Sequence, residues 1–275
     1  MLNLIPIHDE NPTYRTAWVT LALIAINLVV FLLEPVASSI SGNASTPAET
    51  CRQEAFFRRY AAIPRELTSN RQLPLAINTN SPPRNLERQQ FACPLGLPTY
   101  DKIPALSVLY AMFLHGSWLH ILGNMLFLWV FGNNVEDRLG RLRYLFFYLL
   151  CGYVATYGFA FSDPNSSTTL VGASGAIAGV LGAYLVLFPR TRVTSLVPFL
   201  LFLPARLPAW VVLGSWFVLQ YFYAAGASVG TGASVAYLAH VVGFIAGIVL
   251  IILLGGMSPR RRPPPTWQRW QSPYR

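Results

Sequence analysis

The sequence predicts an all-α polytopic membrane protein, and three observations carry that reading. Of the 275 residues, 53% are hydrophobic and only 11% are charged, where a soluble domain carries about 25% charged residues. The charges are segregated, leaving six apolar runs of near-spanning length. Segments rich in Pro, Gly, Asn and Arg separate those runs. The net charge of +9 therefore reports topology and contact with the lipid bilayer. No nucleic-acid-binding pattern accompanies it, so no nucleic-acid partner is expected. Cys51, Cys93 and Cys151 have no metal-ligand spacing.

The elements follow in order. Residues 1–15 form a short polar N-terminal segment. Residues 16–33 are the first span, closed by Glu34-Pro35; the run is too long and too weakly flanked by positive charge for a signal peptide. Residues 37–104 are too polar for the bilayer and too long for a simple connector. They read as a loop or small cap outside the membrane. Its Cys51 and Cys93 pair if that side is oxidising, although spacing alone leaves two free thiols open. The apolar run 106–114 is short and is interrupted by His115-Gly116-Ser117, which suits an interfacial or re-entrant segment. Spans two and three are 118–131 and 144–161, followed by a turn at 163–167. Span four, 174–188, stops at Pro189. Residues 193–205 are apolar but broken by Pro198 and Pro204, and are expected at the interface. Span five is 208–223, a small-residue loop covers 224–232, and span six is 233–254. The tail 258–275 is basic and proline-rich and is expected to be unstructured. The domain organisation is thus an N-terminal segment 1–15, one bundle 16–257 carrying the 37–104 insertion, and a tail.

Six spans place both termini on one side. Arg138, Arg141, Arg143, Arg190, Arg192 and Arg206 lie in short connectors on that side, while the connectors after spans three and five carry no Lys or Arg. By the positive-inside rule both termini are cytoplasmic.

The chemistry centres on Gly172-Ala173-Ser174-Gly175. Ser174 follows a glycine turn and opens an apolar helix. Its N–H is an unpaired donor at a helix start, and the helix dipole favours developing negative charge there. Counting back 14 residues from the expected cytoplasmic ends at 188, 134 and 254 gives Ser174, His120 and His240. All three therefore sit roughly 21 Å above that boundary. Asn124 lies one turn below His120 on the same helix face. Polar groups at such depth are expensive and point to function. A serine needs a base, and histidine is the usual one. After Asp163 the chain has no Asp or Glu, so a hydrolase built on Ser174 and His240 is a dyad. His120, Asn124 and the Ser174 N–H supply oxyanion donors. Gly175 and Gly179 in span four and Gly243 and Gly247 in span six make small-residue faces that let the helices approach. Each polar residue also has a plainer reading: His120 and Asn124 as interhelical hydrogen-bond partners, His240 as a core histidine. A metal site of His115, His120 and His240 lacks a His-Glu-x-x-His helix and a nearby carboxylate, and no metal or other cofactor is expected.

The runs Phe113 to Asn124, Gly132 to Gly140, Gly172 to Gly175 and Ala239 to Phe244 together resemble the rhomboid family of intramembrane serine proteases. The resemblance implies Ser174 as nucleophile, His240 as general base, and His120, Asn124 and Ser174 as the oxyanion hole. It implies structural roles for His115 and Glu136, and a membrane-embedded first loop at 106–117. Gly172, Gly175 and Gly243 belong to the same motifs. In one place the chain departs: Ala178 stands where many members have an aromatic residue packed on the catalytic histidine. The expected function is cleavage of transmembrane protein substrates in or near their membrane segment, in the plasma membrane of a prokaryote. The alternative is a catalytically dead relative that binds membrane clients. A transporter would show internal repeats, and the sequence has none.

Overall fold

The computed structural model describes residues 4–35, 46–86, 90–198, 202–227 and 236–255. The expected C-terminal tail and parts of the 37–104 and 224–232 segments lie outside the described residues.

Helix α8 (Ser174–Leu187) forms the centre. Its residues from Ala176 to Tyr184 are all buried, as befits a helix apolar on every side. Helices α7 (Arg141–Ser162) and α10 (Tyr237–Leu253) pack against it. The glycine faces set the approach. A Cβ at Gly243 would overlap the Gly175 carbonyl, and one at Gly247 would overlap the backbone of Gly179. Only hydrogen at these positions lets the two backbones touch, and close packing replaces the hydrophobic drive that a bilayer cannot supply.

Around this core run α1 (Trp18–Leu33), α9 (Ala209–Phe222) and a helical run in three parts. That run comprises α5 (Trp118–Phe127), a π-helical turn at Leu128–Gly132 and α6 (Asn133–Leu139). The helix at residues 118–131 thus continues past its expected end. At 22 residues α7 is long and apolar enough to cross a membrane alone; α1, α8, α9 and α10 are shorter apolar helices.

The start of α1 is tied to the three-part helical run and its far end to the turn just before that run. The buried Glu136 carboxylate accepts from the Val19 and Thr20 N–H groups (3.0 and 2.7 Å) and from the Thr20 hydroxyl (2.8 Å). A carboxylate at this place satisfies orphan donors of the first turn and complements the helix dipole. At the far end the Glu34 carboxylate accepts the His115 N–H at 3.1 and 3.2 Å.

Residues 193–205, expected as an apolar segment at the interface with no assigned secondary structure, supply most of the described part of a hairpin of β6 (Arg192–Val197) and β7 (Leu203–Pro208). Strand β1 (Ile5–Asp9), from the N-terminal segment, pairs antiparallel with β6 to complete a three-stranded sheet. The sheet lies at the end of α8 remote from Ser174. Val193, Ser195 and Val197 are buried in alternation, the period of a half-buried strand. Pro204 and Pro208 fall on β7, an edge strand where a missing N–H is tolerated. Asp9 is buried at the end of β1 and accepts from the Tyr184 hydroxyl and from Asn134 Nδ2, both at 2.7 Å.

The described residues of the 37–104 segment, 46–86 and 90–104, form a folded cap. Helix α2 (Pro47–Tyr60) opens with a capping box of Thr46 and Glu49, and α3 (Pro64–Ser69) follows. Two small hairpins come next, β2 (Ala76–Ile77) with β5 (Leu95–Gly96) and β3 (Arg84–Leu86) with β4 (Gln90–Ala92). A Cys51–Cys93 disulfide joins α2 to the chain after β4. Lys102 Nζ lies 2.7 Å from Glu66 Oε2 and donates to the Arg58 and Ala61 carbonyls. Burial pulls the Lys102 ammonium below its usual range, and Glu66 opposes that shift. The cap reaches the α7–α8 connector through an antiparallel bridge between Ala62 and Leu170. Helix α4 (Pro104–Ala111) then leads back to the bundle.

Candidate active site

Ser174 is the first residue of α8. The turn before it depends on Gly172, whose φ of +119° is strained for any residue with a side chain. A Cβ there would also lie 2.7 Å from His120 Nε2. The Gly172 N–H donates to the Ala111 carbonyl at 2.8 Å, anchoring the turn to the end of α4.

The structure brings Ser174 and His240 together: Ser174 Oγ is 2.7 Å from His240 Nε2. The glycine seam between α8 and α10 makes this reach possible, since both side chains stand near its upper end. The other imidazole nitrogen, Nδ1, is 2.7 Å from Gln220 Oε1 on α9. Two aromatic rings flank the histidine. Trp216 has its ring centroid 6.0 Å away at an interplanar angle of 31°, and Tyr237 stands 6.3 Å away at 87°. Ala178, in the position of the absent aromatic, is fully buried within α8.

His120 and Asn124 approach from α5, on the Gly172 side of Ser174. The start of α5 is fixed by Ser117, whose hydroxyl accepts the His120 N–H at 3.2 Å. Asn124 Nδ2 donates to His115 Nε2 at 2.9 Å. An amide nitrogen has two hydrogens, so one holds the side chain and the other is left to donate elsewhere. His115 is fully buried, its ring packs edge-on to His120 with centroids 5.0 Å apart, and its backbone is held by Glu34. Glu136 lies away from these groups, at the start of α1. Gly175 and Gly243 meet in the seam.

Gln220, Trp216, Tyr237 and Glu34 were not singled out in the sequence. Gln220 had a readable signal, a lone amide in an otherwise apolar helix. Trp216 lies one turn before it on the same face. Among the described residues no three His, Cys, Asp or Glu side chains gather as a metal ion would need. The arrangement can place a serine nucleophile on a base, with N–H donors on one side of the reacting atom.

A family model described as "Rhomboid domain" matches residues 105–257. "RHOMBOID-like protein 5" of Arabidopsis thaliana is 29% identical over 185 residues, covering 61% of this chain and 55% of that protein. "Rhomboid protein 1, mitochondrial" of Saccharomyces cerevisiae is 29% identical over 149 residues, 52% of this chain and 40% of the relative. "Rhomboid protease GlpG" of Yersinia pestis is 31% identical over 139 residues, 50% and 44% respectively. The chain thus spans about half the length of the curated relatives it matches.

Proposed function

The chain belongs to the rhomboid family of integral membrane proteins, and from that premise we propose that it is an intramembrane serine endopeptidase. The observation that carries the proposal is the 2.7 Å contact of Ser174 Oγ with His240 Nε2 at the start of a buried helix. In this reading His240 takes the serine proton as Oγ attacks the scissile carbonyl. The oxyanion is met by the Ser174 N–H, Asn124 Nδ2 and His120. His240 then protonates the leaving amine, and water entering from the outer side releases the acyl group. The substrates are transmembrane proteins cut in or near their membrane segment.

The proposal includes six spans (α1, the α5–α6 run, α7, α8, α9 and α10), cytoplasmic termini, an extracytoplasmic 37–104 cap and residence in a prokaryotic plasma membrane. The arginine distribution supports that orientation, and the disulfide in the cap suits an oxidising compartment.

The test is reaction of purified full-length protein with a fluorophosphonate, alongside cleavage of a model membrane substrate in proteoliposomes. Wild type is expected to label and to cleave, with Ser174→Ala and His240→Ala inactive. Asp163→Asn should stay within several-fold of wild type, since the dyad uses no acid. A folded wild type that neither labels nor cleaves points to the catalytically dead, client-binding alternative.

A further inference from the structure

We propose that Gln220 is the positioning residue of His240, fixing the imidazole tautomer and direction that an acid fixes in a serine–histidine–acid triad. The inference rests on the protease reading above. For His240 to serve as base, Nε2 must be bare and face the serine, so the ring proton must sit on Nδ1. An Nδ1–H in an apolar bundle needs an acceptor, because a buried unpaired donor is costly. No carboxylate follows Asp163 in the chain. Gln220 Oε1 lies 2.7 Å from Nδ1, and Gln220 is only 5% exposed. Ser174 Oγ, His240 Nε2, His240 Nδ1 and Gln220 Oε1 therefore form one hydrogen-bonded relay across α8, α10 and α9.

An amide suits this task in a way a carboxylate does not. Its carbonyl accepts the Nδ1–H while bringing no charge into the bundle, where a lone carboxylate is expensive. The direction of the amide also matters. With its NH2 turned to Nδ1, the ring proton would move to Nε2, and the base would face Ser174 with no free lone pair. Helix α9 adds a second restraint through Trp216, one turn before Gln220. Together the two side chains hold the ring that Ala178 is too small to hold from α8. Gln220 does not touch the reacting atoms, and its effect passes through His240.

The experiment uses full-length protein in detergent micelles, with Gln220→Met and Gln220→Glu. Methionine fills a similar volume without a strong acceptor, so packing is retained. Glutamate keeps an acceptor oxygen at the same reach. Gln220→Met is expected to lower kcat about 10- to 100-fold, no more than the lower end of the 10²–10⁴ that acid–base catalysis as a whole supplies, with KM within a factor of about 2. Fluorophosphonate labelling of Ser174 should slow in proportion. Gln220→Glu should retain more activity than Gln220→Met. A packing role predicts the reverse order, with methionine tolerated and the buried acid harmful. Nitrogen-15 histidine spectra, assigned with His240→Ala, add a readout that needs neither turnover nor the glutamate variant. Wild type should show the Nδ1–H form, and Gln220→Met a shift toward Nε2–H. An unchanged tautomer and an unchanged kcat in Gln220→Met overturn the inference while leaving the protease reading intact. A wild type that neither cleaves nor labels removes the protease reading, and this inference with it.

Discussion

In a tetrahedral intermediate on Ser174 the former carbonyl oxygen carries negative charge where screening is weak. Asn124 is tethered by one hydrogen to His115 Nε2, which leaves the second for that oxygen. Losing one oxyanion donor costs about 10²–10³ in kcat. Asn124→Ala is accordingly expected to lose activity by that factor in steady-state cleavage, with KM nearly unchanged and labelling of Ser174 slowed but retained. A folded Asn124→Ala protein with wild-type kcat would reduce Asn124 to a helix contact. Ser174, His240 and His120 were legible in the sequence because polar side chains are rare in such apolar runs and their counts along separate helices agree, and Asn124 because it lies one turn from His120 on the same helix. Gln220 was not, because the partner that gives it meaning lies 20 residues away on another helix, and sequence separation sets no distance. Glu34 read only as the end of a span, since its partner is a backbone N–H that no sequence pattern marks.

At the scale of elements, the α8–α10 seam distinguishes glycines that look alike in the sequence. Gly247 faces the Gly179 backbone so closely that a Cβ cannot fit, whereas Gly214 in α9 has nothing within 4 Å of its would-be Cβ. Gly247→Ala should destabilise by about 1–3 kcal/mol through overpacking, seen as a lower midpoint in thermal or denaturant unfolding. Gly214→Ala should hold or raise that midpoint, as a helix-interior glycine does when space is free. Equal effects would remove the seam as the organising contact. The sheet of β1, β6 and β7 gives a pH prediction. Burial raises the Asp9 carboxyl above its ordinary value of 3.8, against the lowering effect of the Tyr184 hydroxyl. A carboxyl raised in the folded state contributes stability that is complete below 3.8 and is lost as pH climbs through the folded value. Wild type should therefore lose stability relative to Asp9→Asn as pH rises from below 3.8 toward neutrality. A flat difference between the two proteins across that range would reject it. The sheet is hard to read from the sequence because Pro198 and Pro204 interrupt the apolar run that carries its strands. The β-branched Val193, Thr194 and Val197 favour a strand, but the residue types do not alternate, and the pairing partner lies in the N-terminal segment.

At the scale of the whole molecule, the bundle was legible because apolar length and charge segregation follow directly from a bilayer as solvent. A loop or small cap was legible at 37–104 too, but its internal fold was not, because that depends on contacts between distant polar residues, such as Lys102 with Glu66. Its disulfide closes a sequence separation of 42 residues, for which the chain-entropy relation gives about 4 kcal/mol of stabilisation. Reduction in intact cells is expected to free Cys51 and Cys93 for a membrane-impermeant maleimide, while a cysteine placed in the 258–275 tail stays unlabelled. Labelling of the tail from outside would invert the topology. The joint between cap and bundle has a different kind of consequence. On the connector side, its described hydrogen bonds use main-chain atoms: the Pro164, Ser166 and Leu170 carbonyls and the Leu170 N–H. Main-chain carbonyls are common to every residue type, so these bonds constrain the path of the polypeptide more than its spelling, whereas Leu170 is also fixed by burial against Ala62, Leu67 and Ala160. The exposed connector positions before Leu170 can accumulate substitutions while the docking geometry two residues before Gly172 is kept, and Leu170 with its cap partners Ala62 and Leu67 must stay apolar.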